Sequence, residues 1–127
     1  MTGRELRADY LATHYRCGYC EVVPRAEYRH CDHTRLCVEH VWQRAGKRVD
    51  HTDNYIPTCD AAHRWKHKFT TLGRIAATWW KISRGEFDRD AIRNLIGRDV
   101  IGWVSNQRED GLPAWADELA RDILERF

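Results

Sequence analysis

The chain has 127 residues, 43% of them hydrophobic and 31% charged, with a mean hydropathy of -0.71, which is the size and composition of one globular domain and not of a disordered chain. No apolar run approaches the ~18 residues of a membrane-spanning helix, and the opening MTGRELRADYLATHYR has no apolar leader stretch, so no membrane partner and a cytoplasmic location are expected. The net charge of +2, 21 Lys and Arg against 19 Asp and Glu, does not by itself announce a nucleic-acid binder.

Residues 2–15 read as a short helix. Thr2 is placed to cap it, Glu5 stands three residues on as in a capping box, and Leu6, Tyr10 and Leu11 form a one-sided apolar stripe. Residues 16–70 break that pattern. Tyr19, Val22, Val23 and Tyr28 suggest a strand or hairpin, Val49, Tyr55 and Ile56 suggest another, and Gly46 marks a turn. From Cys59 the pattern becomes helical; Leu72, Ile75, Ala76, Trp79 and Trp80 continue at helical spacing, with a second helix expected after a kink at Gly73. Asp88 is a plausible cap for a helix carrying Ile92, Leu95, Ile96, Val100 and Trp103, and Pro113 opens a last helix with Trp115, Leu119, Ile123 and Phe127 on one side. The expected organisation is a domain over residues 1–73 and a helical extension over 74–127 packed on it. The positive excess lies with the first part, 12 Lys and Arg against 9 Asp and Glu, compared with 9 against 10 in the second.

The informative residues are the potential metal ligands. All five Cys and six of the seven His fall between Cys17 and His67, and clustering of this kind without a leader, with an odd Cys count, points to metal before disulfides. Cys17-x2-Cys20 is a zinc-knuckle spacing, because two intervening residues let both thiolates face one ion in a tight turn. Cys59 begins a second such pair, but its partner position is Ala62. The fourth group of a tetrahedral site then comes from elsewhere, and Cys31, Cys37, His40 and His63 all qualify by chemistry. Cys59-x3-His63 can itself be a ligand pair, and Cys31…Cys37-x2-His40 can be part of a metal site. Without a metal, the same Cys would serve as small buried residues.

The ordered run Cys17-x2-Cys20, Asp32-His33, Asn54-x4-Cys59, His63, Lys66 resembles the HNH endonucleases, over residues 17–66, and Tyr55-Ile56-Pro57-Thr58-Cys59 is most similar to the small HNH proteins of actinobacterial phages. The resemblance implies an α+β fold: a ββα-metal finger with a zinc knuckle, its strands near residues 25–33 and 48–56 and its helix starting near Asp60. It implies a nuclease that hydrolyses DNA phosphodiester bonds, with His33 as general base and Asn54 tying down the loop or orienting His33. Asp32 and His63 would hold a catalytic Mg2+ or Mn2+, and Cys17, Cys20 and Cys59 a structural Zn2+. Such chemistry needs an activated water, charge on the phosphate oxygens and accurate placement, and a histidine, with an unperturbed pKa of ~6.5, suits the proton transfer near neutral pH. Arg64, Trp65, Lys66 and Lys68 are the candidates for nucleic-acid contact. The other Trp on helical faces read as core.

Several alternatives stay open. Asp50-His51 is a second Asp-His register, although it stands close to Asn54, and His30 is a further candidate. A zinc-binding module that has kept the scaffold and lost the nuclease, binding DNA or a host protein, competes with the enzyme. A protein partner on residues 74–127 is a further expectation, as is a host cytoplasm if the chain is phage-encoded.

Overall fold

The computed structural model describes all 127 residues and is mixed α+β. Helix α1, Gly3–Thr13, starts where expected: Thr2 Oγ1 accepts a hydrogen bond from Glu5 N at 3.1 Å. The aromatic run after it is not a strand. It forms a short helix, α2, Gly18–Val22, with Tyr19 fully buried, and residues 23–36 have no regular secondary structure.

Strand β1 is Cys37–His40 and is followed by a small hairpin, β2 (Gln43–Arg44) and β3 (Lys47–Arg48). Ala45 and Gly46, at the tip, both have positive φ (51° and 74°), as a two-residue turn between twisted strands requires. A single 3-10 turn, Thr52–Asn54, leads into β4, Tyr55–Thr58. β4 runs antiparallel to β1 with Glu39 opposite Ile56 and His40 opposite Tyr55. The strands expected near 25–33 and 48–56 therefore lie later in the chain. Pro57 is tolerated because each strand of a two-stranded sheet is an edge.

Cys59 caps α3, Asp60–Lys68, its Sγ accepting from Ala62 N at 3.4 Å. The break after α3 falls at Phe69, not at Gly73, which sits inside α4, Thr70–Ser83. Gly73 is there for another reason. A Cβ at that position would come within 2.4 Å of Lys66 Cγ, so the glycine makes room for the stem of Lys66. The stretch expected as one helix after Asp88 is two, α5 (Arg89–Ile96) and α6 (Val100–Asp110), because Gly97 closes α5 in the left-handed conformation with φ 77°. Helix α7, Ala114–Glu125, follows Pro113.

The expected boundary at residue 73 thus lies within α4. One hydrophobic core runs from Cys17 and Tyr19 through Ile56, Trp65 and Trp80 to Ile123. α4 packs on α2 and α7, and α6 packs on α7. Trp103 meets Trp42 edge-on at 4.9 Å, and Trp115 lies 6.3 Å from Trp65 while donating to Glu27 at 2.9 Å. The helices after Gly73 hold α3 and the β1–β4 pair in place, as the two strands alone bury too little apolar surface to be stable. No helix is long and apolar enough to cross a membrane.

Candidate metal centres and the site beside beta strand 1

Two groups of side chains have the geometry of metal ligands. The first is Cys17, Cys20, Cys31 and Cys59, with all four Sγ atoms within 4.8 Å of one another. Cys17 and Cys20 come from the start and first turn of α2, Cys59 from the cap of α3, and Cys31 from the irregular loop between α2 and β1. Four thiols at this spacing can hold a metal ion such as zinc. Ala62 is fully buried in the core, and Cys31 supplies the fourth sulfur. Of the other fourth-ligand candidates, Cys37 is exposed on β1, while His40 and His63 lie elsewhere. All five Cys are free thiols.

Donors already surround the sulfurs. Cys59 N donates to Cys17 Sγ at 3.3 Å, Tyr28 Oη to Cys20 Sγ at 3.5 Å, and His33 N to Cys31 Sγ at 3.3 Å. The hydrogen bond from Cys17, with that from Tyr28, pulls the Cys20 thiol well below its ordinary value. The same bond to Cys20, with burial, pushes Cys17 up. Burial raises Cys59 to about 11. One sulfur of the cluster is thus already favoured as thiolate, which is the form that binds metal.

The second group is Glu39, His63 and His67, again with ligand atoms within 4.8 Å. Glu39 is on β1, 3% exposed, and His63 and His67 lie one turn apart on α3 with ring centroids 4.4 Å apart. Glu39 Oε2 contacts His63 Nδ1, and its Oε1 accepts from Lys66 Nζ at 2.8 Å. His40, next along β1, opens onto the same cavity of about 270 Å3, together with Gln43, Arg48 and Lys66. In a larger cavity of about 450 Å3, lined by Asp9, Tyr10, His14, Lys81 and Glu86, no three ligand atoms converge as they do here. The chemistry therefore points to the smaller one.

His40 is held from behind. Its Nε2 is 2.7 Å from Asp50 Oδ1, an oxygen that also accepts from Arg7 at 2.7 Å and from Tyr55 Oη at 2.8 Å. Partial burial works against ionisation of Asp50, but the hydrogen bonds from His40, Arg7 and Tyr55 outweigh it and hold the carboxyl well below its usual range. A carboxylate can only accept, so the contact with Asp50 calls for the proton on Nε2, whereas the contact with Arg48 calls for the lone pair there. Arg48 Nε donates to Nε2 at 3.2 Å in that second tautomer, and it pairs with Asp50 Oδ2 at 3.6 Å.

The site residues expected from sequence fall into three sets. Cys17, Cys20 and Cys59 are brought together. His63 is at a ligand group, but Asp32 is not with it: Asp32 is an exposed turn residue whose Oδ1 accepts from Thr34 N at 3.1 Å and Thr34 Oγ1 at 2.6 Å. His33 belongs to the rim of the Cys cluster. Its Nδ1 accepts from Cys17 N at 2.8 Å, and its backbone takes a positive φ of 64° to close the turn. Asn54 is fully buried and touches neither histidine. Its Oδ1 accepts from Trp42 N at 2.8 Å, and its Nδ2 donates to Trp42 O at 2.8 Å and Val49 O at 3.0 Å, so it clamps the loop that carries the hairpin. His51, in the Asp50-His51 register, caps the 3-10 turn through Asp53 N at 3.1 Å, while Asp50 serves His40.

The expected nucleic-acid set divides as well. Trp65 is 5% exposed and packs among Tyr19, Tyr28, Phe69 and Trp115. Lys66 is 5% exposed and bound to Glu39. Neither is available to a duplex. Arg64, paired with Asp60 at 2.9 Å, and Lys68 remain exposed on α3.

Glu39, His40 and His67 are the residues that sequence reasoning did not single out for these positions, while Cys31 is one of the four candidates for the place it takes. Glu39-His40 is an acid-histidine pair like Asp32-His33, and His63-x3-His67 is a one-turn pair on a helix. No protein-family model, curated protein or solved structure matches the chain.

Proposed function

We propose that the chain is a metal-dependent endonuclease of the HNH type acting on DNA, with a ββα-metal unit formed by β1, β4 and α3. The observation that carries this reading is the convergence on one cavity of Glu39 and His40, adjacent on β1, with His63 in the first turn of α3. This is the acid-histidine-then-helical-histidine order of the resemblance, moved seven residues along from Asp32-His33. The donor set of one carboxylate and two imidazoles fits a divalent cation, with Glu39, His63 and His67 holding it. Bound there, the cation supplies positive charge to the non-bridging and leaving oxygens of a phosphodiester.

His40 is the general base. Asp50 favours the tautomer with the proton on Nε2 and stabilises the imidazolium once Nδ1 has taken a proton from water. Asp50 is held in turn by Arg7 and Tyr55, so α1 supports the base directly. Arg48 and Gln43, on the same cavity, are placed to meet the phosphate. Lys47 on the hairpin, with Arg64 and Lys68 on α3, supplies exposed positive charge for the backbone on either side. The four-cysteine cluster holds a structural zinc that joins α2, the loop before β1 and the start of α3.

The test is nicking of supercoiled plasmid by the purified chain. Nicking that requires an added divalent cation, stops with EDTA and returns on re-addition is expected. Tight DNA binding without nicking under any divalent cation would favour the zinc-binding module that has lost catalysis.

A further inference from the structure

Lys66 changes what the Glu39 site can bind. Its ammonium is buried against Glu39 Oε1 at 2.8 Å, with the carbonyls of His40 and Val41 each at 3.4 Å, and the side chains of Lys66 and Glu39 are only 6% and 3% exposed. Its stem is seated over Gly73, where any side chain would collide with it. The single carboxylate of the ligand group is therefore neutralised by a fixed cation before any metal arrives. The other two donors, His63 and His67, are nitrogen ligands.

We infer that the Glu39–His63–His67 site, on the reading of it as the cation site of the proposed nuclease, takes a nitrogen-seeking transition cation of the nickel, cobalt or zinc class and rejects magnesium, and that Lys66 sets this threshold. The physical reason is a division of labour among donors. Mg2+ is hard, keeps much of its water and draws its affinity from anionic oxygen. Here the one anionic oxygen donor has its charge offset by an ammonium that shares little screening water. A transition cation loses the same Coulombic contribution but keeps two imidazole bonds, which magnesium scarcely uses. The i, i+4 spacing on α3 presents both rings to one ion. The Mg2+ expected from the resemblance is thus the ion this donor set serves least well. Lys66 is a positioning residue: it fixes Glu39 and its charge, and touches no substrate.

The test uses the full chain with one equivalent of zinc already bound, titrated calorimetrically with nickel chloride and, separately, magnesium chloride. Nickel should fill one site at a concentration at least 100-fold below that needed for magnesium. His67→Ala should weaken nickel at least tenfold, which assigns the heat to this site and not to the thiolates. Lys66→Met should tighten both ions at least tenfold, because the lost repulsion acts on any dication, and Lys66→Gln should do the same if the Met variant does not fold. Magnesium binding within tenfold of nickel in the native chain, or neutral variants of Lys66 that leave both affinities unchanged, would overturn the inference. Since the readout is binding, a nickel-loaded chain that does not cut DNA refutes the nuclease reading and leaves this one standing. A native chain that binds neither ion refutes both.

Discussion

Cys31→Ser is expected to cost the chain its zinc and much of its stability. The loop over residues 23–36 has no helix or strand of its own, and Cys31 is the residue that ties its far end to α2 and α3 through the sulfur cluster. Structural zinc contributes ~10–16 kcal/mol to folding in small zinc-binding peptides, and a serine oxygen is a poor replacement for one of four thiolates. A loss of about 3 kcal/mol or more is expected, a fall of roughly 10 °C or more in melting temperature. Zinc per chain, measured by mass spectrometry of the purified protein, should fall from one toward zero. Cys37→Ser is the control. Cys37 is exposed, and its Sγ meets only Thr58 O at 3.7 Å, so its loss should change stability by no more than about 0.5 kcal/mol. Full zinc retention in Cys31→Ser would refute the four-cysteine assignment and return the fourth position to His63.

His40→Ala is expected to lower plasmid nicking by roughly 10²- to 10⁴-fold, the usual range for losing a general base. Its fold should survive, because His40 is a half-buried strand-end residue whose main partner, Asp50, keeps Arg7 and Tyr55. His33→Ala should stay within a few-fold of the native rate, provided its zinc content is intact, since the His33 ring bonds to the Cys17 amide and not to the Glu39 cavity. Rates measured in parallel on zinc-loaded variants separate the two registers. A His33→Ala chain that is zinc-replete yet inactive, beside an active His40→Ala, would restore the Asp32-His33 register.

The helices are legible because their signals are local. Thr2 with Glu5, Asp88, and Pro113 each act within one turn, and the structure begins helices at those points. Two glycines carry signals that periodicity does not separate. Gly73 reads as a break, but a glycine within a helix also answers to what packs on it, here the stem of Lys66. Gly97 interrupts an apolar pattern that runs on past it, yet its left-handed conformation ends α5. The burial of Trp65 and Lys66 follows from spacing: Ala62, Trp65 and Lys66 fall at helical intervals along one face of α3, which turns to the core.

The site is legible in its residue types and not in its register. Three acid-histidine pairs lie close together in the sequence, Asp32-His33, Glu39-His40 and Asp50-His51. Their chemistry is nearly equivalent. What separates them is backbone context: Thr34 makes Asp32 a turn residue, pairing with β4 makes Glu39 a strand residue, and the next turn leaves Asp50 facing His40. The choice of Cys31 over Cys37 depends on how an irregular loop returns to α2, and no periodicity encodes that path.

The proposed function calls for two separate metal centres, one of four sulfurs and one of Glu39, His63 and His67 beside His40. The most direct measurement is anomalous diffraction from crystals of the zinc-loaded chain soaked in nickel, with data collected at both metals' absorption edges. The expected result is a zinc peak among Cys17, Cys20, Cys31 and Cys59 and a distinct nickel peak bounded by Glu39, His63 and His67. Nickel found only among the sulfurs, or beside Asp32 and His33, would contradict it.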